Sequence, residues 1–171
     1  MILFLMKSAI AFIAFGSNLG NSRQTVIQAA HRLQEFSNEP LLRSSLWQTT
    51  PVACPPGSPF FVNAVIGLVP FSQETPESLL EKLQEMEKEF GRQSRKVLNE
   101  ARPLDLDLIS FGNETRHTPQ LALPHPRAHE RRFVLQPLSE IAPDLILPGQ
   151  KKNVMELFNS LTTPEILSRI S

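Results

Sequence analysis

Arg102-Pro103-Leu104-Asp105-Leu106-Asp107-Leu108-Ile109 reads as a β-strand with two different faces. Side chains alternate along a strand, so Leu104, Leu106 and Leu108 point one way while Asp105 and Asp107 point the other. The leucine face calls for a core. The aspartate face is anomalous, because Asp is depleted in strands and like charges about 7 Å apart on one face repel. A divalent cation would turn the pair into a site, whereas water over a one-sided strand would simply solvate it. The D-x-D pattern alone does not separate these readings.

The segments around this strand set its place in the fold. Ala9 to Phe15 is a continuous apolar run, expected of a central strand, and it ends in the turn-rich loop Gly16-Ser17-Asn18-Leu19-Gly20-Asn21. A helix follows, capped by Asn21 or Ser22, with Val26, Ile27, Ala29, Ala30 and Leu33 on its buried side. Leu41 to Thr49 reads as a second strand. Pro51 to Pro59 holds four prolines and a glycine and must be a loop, and Phe60 to Val69 is a third strand. Thr75-Pro76 has the form of a helix start. Leu79, Leu83, Met86 and Phe90 then share one stripe, and Gly91 is a natural stop.

Strand, helix, strand, strand, helix, strand is the order of a ferredoxin-like split βαβ sandwich. The expected fold class is α+β, a mainly antiparallel sheet with helices packed on it, both covering one face and leaving the other to build a site. A further helix is expected near His129 to Leu138, and one or two short helices between Asn153 and Ile170, with Thr163-Pro164 starting the last.

At 171 residues, 41% hydrophobic and 20% charged, the chain suits one soluble domain with a sizeable core. Seventeen basic residues balance seventeen acidic ones, so no global field draws it to nucleic acid or membrane. The lone Cys54 excludes an intramolecular disulfide and a cysteine metal cage, and fits a reducing cytosol. Residues 1–8 form an apolar leader without a basic start, interrupted by Lys7 well short of a membrane span; Met6 is an alternative start. The expected molecule is a cytoplasmic monomer of one domain, with residues 150–171 as a C-terminal helical segment.

Arg92, Arg95, Lys96 and Arg102 stand just before the acidic strand, and His125, Arg127, Arg131 and Arg132 stand beyond it. Either group read alone is equally a solvated charge run. Flanking a carboxylate pair in a neutral protein, they suggest a polyphosphate, which arginine grips with a planar fork. Phe61 and Asn63 share a strand face, a ring beside an amide, and such a pair can stack and read a flat heterocycle. Ordinary core packing also accounts for Phe61. Asn63 among apolar neighbours needs partners if buried. The Gly16–Gly20 loop lacks the ending of a P-loop and the spacing of a dinucleotide fold, and reads as a tight turn lining a pocket.

Together, Phe15-Gly16-Ser17-Asn18-Leu19-Gly20, Thr49-Thr50-Pro51-Val52, Phe61-Val62-Asn63-Ala64, Gly91-Arg92, Arg102 to Leu108, Leu123-Pro124-His125-Pro126-Arg127 and Arg131-Arg132-Phe133 resemble the 6-hydroxymethyl-7,8-dihydropterin pyrophosphokinases of folate biosynthesis. The resemblance runs in order from about Ala9 to Pro148. It implies Mg²⁺-dependent transfer of pyrophosphate from ATP to the pterin hydroxymethyl group, with AMP released. It assigns two Mg²⁺ ions to Asp105 and Asp107, and places Arg92 and Arg102 in mobile loops that assist transfer. Nucleotide contacts fall to Gln84, Glu87, Arg92, Arg102, His125 and Arg131. The pterin falls between Phe61 and Phe133, its edge read by Asn63, Thr49 and the backbone around Thr50 and Val52.

Three positions depart from the family pattern. Asn99-Glu100-Ala101 replaces a common Trp-Gly-Pro run, Ser94 stands where a further arginine is usual, and Ala53 replaces a glycine. These changes bear on ATP affinity and loop closure. No general base stands out. Two other classes share parts of the pattern. A metal-dependent nucleotidyltransferase also pairs a Gly-Ser turn with D-x-D, but close together, whereas Gly16-Ser17 and Asp105 stand about 90 residues apart. A non-catalytic ferredoxin-like module would have no need of both aspartates and both loop arginines.

Overall fold

The computed structural model describes residues 9–51, 55–91 and 103–170. The leader, Val52 to Cys54, and the segment from Arg92 to Arg102, with its basic residues and two of the three departures, lie outside the described residues.

Strands β1 (Ala11–Ser17), β3 (Leu46–Thr49), β4 (Phe61–Leu68), β5 (Asp105–Phe111) and β8 (Leu167–Ile170) form a sheet in the order β5-β1-β4-β3-β8, and the short β2 (Leu42–Arg43) also pairs with β4. Every pairing is antiparallel. The stretch β5-β1-β4-β3 is the ferredoxin-like arrangement. Helices α1 (Ser22–Leu33) and α2 (Pro76–Glu89) are the two crossovers.

Alternation sorts the side chains into two layers. Ile13 and Phe15 of β1, Ala64 and Ile66 of β4, and Leu106 and Leu108 of β5 meet Val26, Ala29 and Leu33 of α1 and Leu79, Leu83 and Met86 of α2. Each fully buried leucine here contributes about 1.5–3 kcal/mol. The helix ends follow the sequence signals. Asn21 accepts the Gln24 N–H at 3.2 Å, and Thr75 and Ser78 form a reciprocal capping box behind Pro76. Gly91 takes φ 94°, a left-handed conformation that closes α2 at little steric cost.

The opposite face differs from expectation, since it is not wholly free. Phe12 and Ala14 of β1, Val65 of β4 and Ile109 of β5 are covered by Val134, Leu135 and Leu138 of α3 (Arg132–Ile141) and by Val154 of α4 (Val154–Asn159). Apolar residues at one end of this face required a second layer, and only the end bearing Asn63, Gly16 and Asp105 is polar. A bulge interrupts β5 within the covered end. Phe12 pairs with Ser110 and Ile13 with Leu108, so Ile109 is the extra residue.

Three other expectations are corrected. Leu41 to Thr49 is broken into β2 and β3, because Ser44 exchanges backbone contacts with Val65 and its Oγ accepts the Val65 N–H at 2.9 Å. The helix expected from His129 starts at Arg132, and His129 lies in a 3₁₀ turn, Ala128–Glu130. The C-terminal segment is one helix followed by a strand. β8 pairs with the outer side of β3, where unpaired backbone groups favour a strand over another short helix. The sequence also gave no sign of the small hairpin of β6 (Arg116–His117) and β7 (Ala122–Leu123).

Candidate active site

The sheet register brings the two halves of the sequence reading into one row. Trp47 pairs with Asn63, Asn63 with Gly16, and Gly16 with Asp105. The next row runs Val65, Ala14, Asp107. Asn63 and Asp105 are thus two strands apart, about 10 Å at ordinary strand spacing. The residues between them on β1 are glycine and alanine, which leaves a low shelf beside the aspartates.

Asn63 is buried, and its Nδ2 donates to Thr49 Oγ1 at 2.7 Å. Thr49 is also fully buried and pairs with Phe61 in the following row. This fixes which end of the amide faces β1. A Cβ placed on Gly16 would lie 2.1 Å from Asn63 Oδ1 and 3.0 Å from the Val62 carbonyl oxygen. Only glycine lets the Asn63 oxygen pass over the β1 backbone. Phe61 is half-buried on β4, and Phe133 is half-buried in the first turn of α3.

Arg131 stands immediately before α3, with its guanidinium carbon 5.4 Å from the centre of the Phe133 ring. Burial pulls its pKa below the ordinary arginine value and repulsion from Arg127 adds to this, while Asp107 and Asp105 pull the other way. That balance describes a cation drawn out of water toward two carboxylates.

His125 is docked by its backbone N–H, which donates to the carbonyl of the bulged Ile109 at 2.8 Å. Its Nδ1 accepts the Arg127 N–H at 3.2 Å, so the neutral ring carries its proton on Nε2. Burial, then Arg131 and Arg127, hold its pKa down to about 4, although Asp105 favours the charged form. The ring is therefore a neutral donor at physiological pH. In an NMR titration of the ligand-free protein, its signals should move only as the pH nears about 4; a midpoint near 6.5 would contradict the site geometry. Between those values the unfolded chain holds the extra proton, so this residue makes stability fall as pH drops through that window.

Glu87 and Gln84 lie on α2. Glu87 is buried, and its Oε2 accepts the Leu106 N–H at 3.1 Å, between the two aspartates on the edge strand; Gln84 is exposed one turn earlier. Thr50 is half-buried at the end of β3, where its N–H donates to the Ile166 carbonyl at 3.2 Å. Arg92, Arg102 and Val52 lie outside the described residues. The structure therefore gathers Asp105, Asp107, His125, Arg131, Phe133, Asn63, Thr49 and Phe61 around one end of one sheet face.

Sequence reasoning missed two carboxylates. Glu140 of α3 accepts from Trp47 Nε1 at 2.7 Å and Ser45 Oγ at 2.7 Å, tying that helix to β3. Glu165 accepts the backbone N–H groups of Arg132 and Phe133. Nothing local pointed to these contacts, because Ser45, Trp47, Arg132 and Phe133 are remote in sequence from the carboxylates they meet. Among the described residues, no group of three or more His, Cys, Asp or Glu side chains is placed to hold a metal ion by itself. Two carboxylates on an open shelf suit a hard cation that completes its shell with water and phosphate oxygens. No helix among the described residues is long and apolar enough to cross a membrane.

A family model described as 7,8-dihydro-6-hydroxymethylpterin-pyrophosphokinase matches residues 12–143. The 2-amino-4-hydroxy-6-hydroxymethyldihydropteridine pyrophosphokinase of Haemophilus influenzae is 37% identical over 141 residues, covering 82% of this chain and 86% of its own. The Bacillus subtilis protein of the same name is 40% identical over 136 residues, 77% of each chain. Among solved structures, Plasmodium falciparum HPPK-DHPS with pteroate superposes with a TM-score of 0.69 at 14% identity, over 90% of this chain but only 42% of that longer one. That likeness speaks for the fold. Residues 12–143 span the whole shelf from Gly16 to Phe133, and the chain belongs to the 7,8-dihydro-6-hydroxymethylpterin-pyrophosphokinase family.

Proposed function

We propose that this enzyme transfers the β,γ-pyrophosphoryl group of ATP to the hydroxymethyl oxygen of 6-hydroxymethyl-7,8-dihydropterin, releasing AMP, as a step of folate synthesis. The row Asn63–Gly16–Asp105 carries this reading, because it sets a heterocycle-reading amide about 10 Å from a carboxylate pair on one face. A pterin edge on Asn63 and Thr49 would point its exocyclic alcohol along the shelf toward Asp105. Phe61 and Phe133 would hold the ring between them. The relatives' names support the same substrate class.

Asp105 and Asp107 would hold the Mg²⁺, which supplies positive charge to the triphosphate oxygens when bound. Arg131 sits beside those carboxylates and would meet phosphate oxygens with a fork that never loses its charge. His125, neutral with its Nε2 proton available, would donate to an oxygen without adding to the repulsion around Arg131. In the reaction the alcohol oxygen bonds to the β-phosphorus, the bond from that phosphorus to the α,β-bridging oxygen breaks, and the alcohol proton is lost. Catalysis of this kind is mainly positioning and charge stabilisation. Arg92 and Arg102 would close over the nucleotide and exclude water.

The test incubates the protein with ATP, Mg²⁺ and the hydroxymethyl pterin, and follows nucleotide products. AMP release that depends on the pterin is expected. Pyrophosphate release, as from a nucleotidyltransferase, or no pterin-dependent product, would overturn the reading.

A further inference from the structure

We propose that Glu165 is a positioning residue for the pterin site, holding Phe133 in place from a segment beyond the matched family region. This rests on the functional reading above, which places the pterin against Phe133.

Helix α3 starts without a cap of its own. Arg131 makes no side-chain capping bond, and no acidic residue lies in the first turn. The first N–H groups of a helix need acceptors, and its N-terminal dipole favours a negative charge. Glu165 supplies both from across the fold. Oε1 accepts the Arg132 N–H at 3.3 Å, and Oε2 accepts the Phe133 N–H at 3.2 Å. The carboxylate is itself fixed. It is only 9% exposed, Thr163 Oγ1 donates to Oε1 at 3.1 Å, and the Glu165 N–H donates back to Thr163 Oγ1 at 3.0 Å.

The same segment grips the opposite wall. The Ile166 N–H donates to Thr50 Oγ1 at 3.2 Å, the Thr50 N–H donates to the Ile166 carbonyl at 3.2 Å, and Leu167 pairs with Thr49. Residues 165–167 therefore join the backbone that carries Phe133 to the strand end that carries Thr49 and Thr50. A cap on any helix contributes stability, and that alone would not concern function. Here the capped N–H belongs to the aromatic residue that would close the ring pocket, and the cap is anchored to the residues that would read the ring edge.

Calorimetry on the wild-type protein, Glu165→Gln and Glu165→Ala tests this, measuring 6-hydroxymethylpterin and a non-hydrolysable ATP analogue separately, alongside Tm. Glu165→Ala should raise the pterin Kd about tenfold and the pterin KM with it, while kcat and the analogue Kd stay within about twofold. Glu165→Gln keeps one acceptor oxygen and should recover most of the loss, at about threefold or less. It also serves if the alanine variant does not fold. Unchanged pterin affinity in both variants, or equal weakening of both ligands, would overturn the positioning role alone. Wild-type protein that binds no pterin would overturn the functional reading and this role together.

Discussion

Asp107→Ala is expected to lower turnover by about 10³-fold or more, a loss of about 4 kcal/mol of transition-state stabilisation. Asp107 stands opposite Ala14 on β1, in a row that contains no other polar side chain. A cation held by Asp105 and Asp107 would lose half of its protein carboxylates, and Arg131 would lose the largest of its carboxylate attractions. Stability should change by no more than about 1 kcal/mol, because the side chain is half-buried and the hydrophobic side of β5 is untouched. The measurement is pterin-dependent AMP release across a Mg²⁺ titration, with Tm recorded on the same preparation. Near-normal rates at low Mg²⁺ would remove Asp107 from the metal site. A collapse in Tm would move it into the scaffold.

That contrast between the two faces of β5 was legible because its cause is local. Alternation along one strand decides which side chains share a face, so Leu104 to Leu108 announced a core and Asp105 and Asp107 announced something else. Phe61 with Asn63 was legible for the same reason. What joins them was not. The Asn63–Gly16–Asp105 row depends on cross-strand register, which is set by how all the strands settle against α1 and α2, and Gly16 looked like part of a turn. The covering of the second face by α3 and α4 was missed because Phe12, Ala14, Val65 and Ile109 lie on three strands, and only the assembled sheet makes them one apolar patch. The helix start expected at Thr163-Pro164 was the clearest misreading. Thr163-Pro164-Glu165 has the local grammar of a helix start, yet it caps a different helix and leads into β8. A cap signal says that an N-terminus will be satisfied; it does not say whose.

Gly16→Ala should cost little in volume and much in function. The added methyl would sit 2.1 Å from Asn63 Oδ1, an overlap that requires movement. The Val62 carbonyl oxygen, 3.0 Å from the same point, belongs to backbone paired in the central sheet, so the Asn63 side chain must give way. Turning it breaks the 2.7 Å bond to Thr49 Oγ1 and leaves a buried amide and hydroxyl in search of partners, a cost of about 1–3 kcal/mol. The larger effect is on the ligand. Asn63 would no longer present its amide in the plane that reads the heterocycle, and pterin affinity should fall about 100-fold, or about 2.7 kcal/mol. The cause can be isolated with a double-mutant cycle. In an Asn63→Ala background the oxygen that collides is gone, so adding Gly16→Ala should cost the fold well under half of what it costs the wild type. Pterin affinity there should already be low and change little further. If Gly16→Ala instead costs the same in both backgrounds, the backbone of β1 carries the penalty, and Asn63 is not the group that requires glycine there.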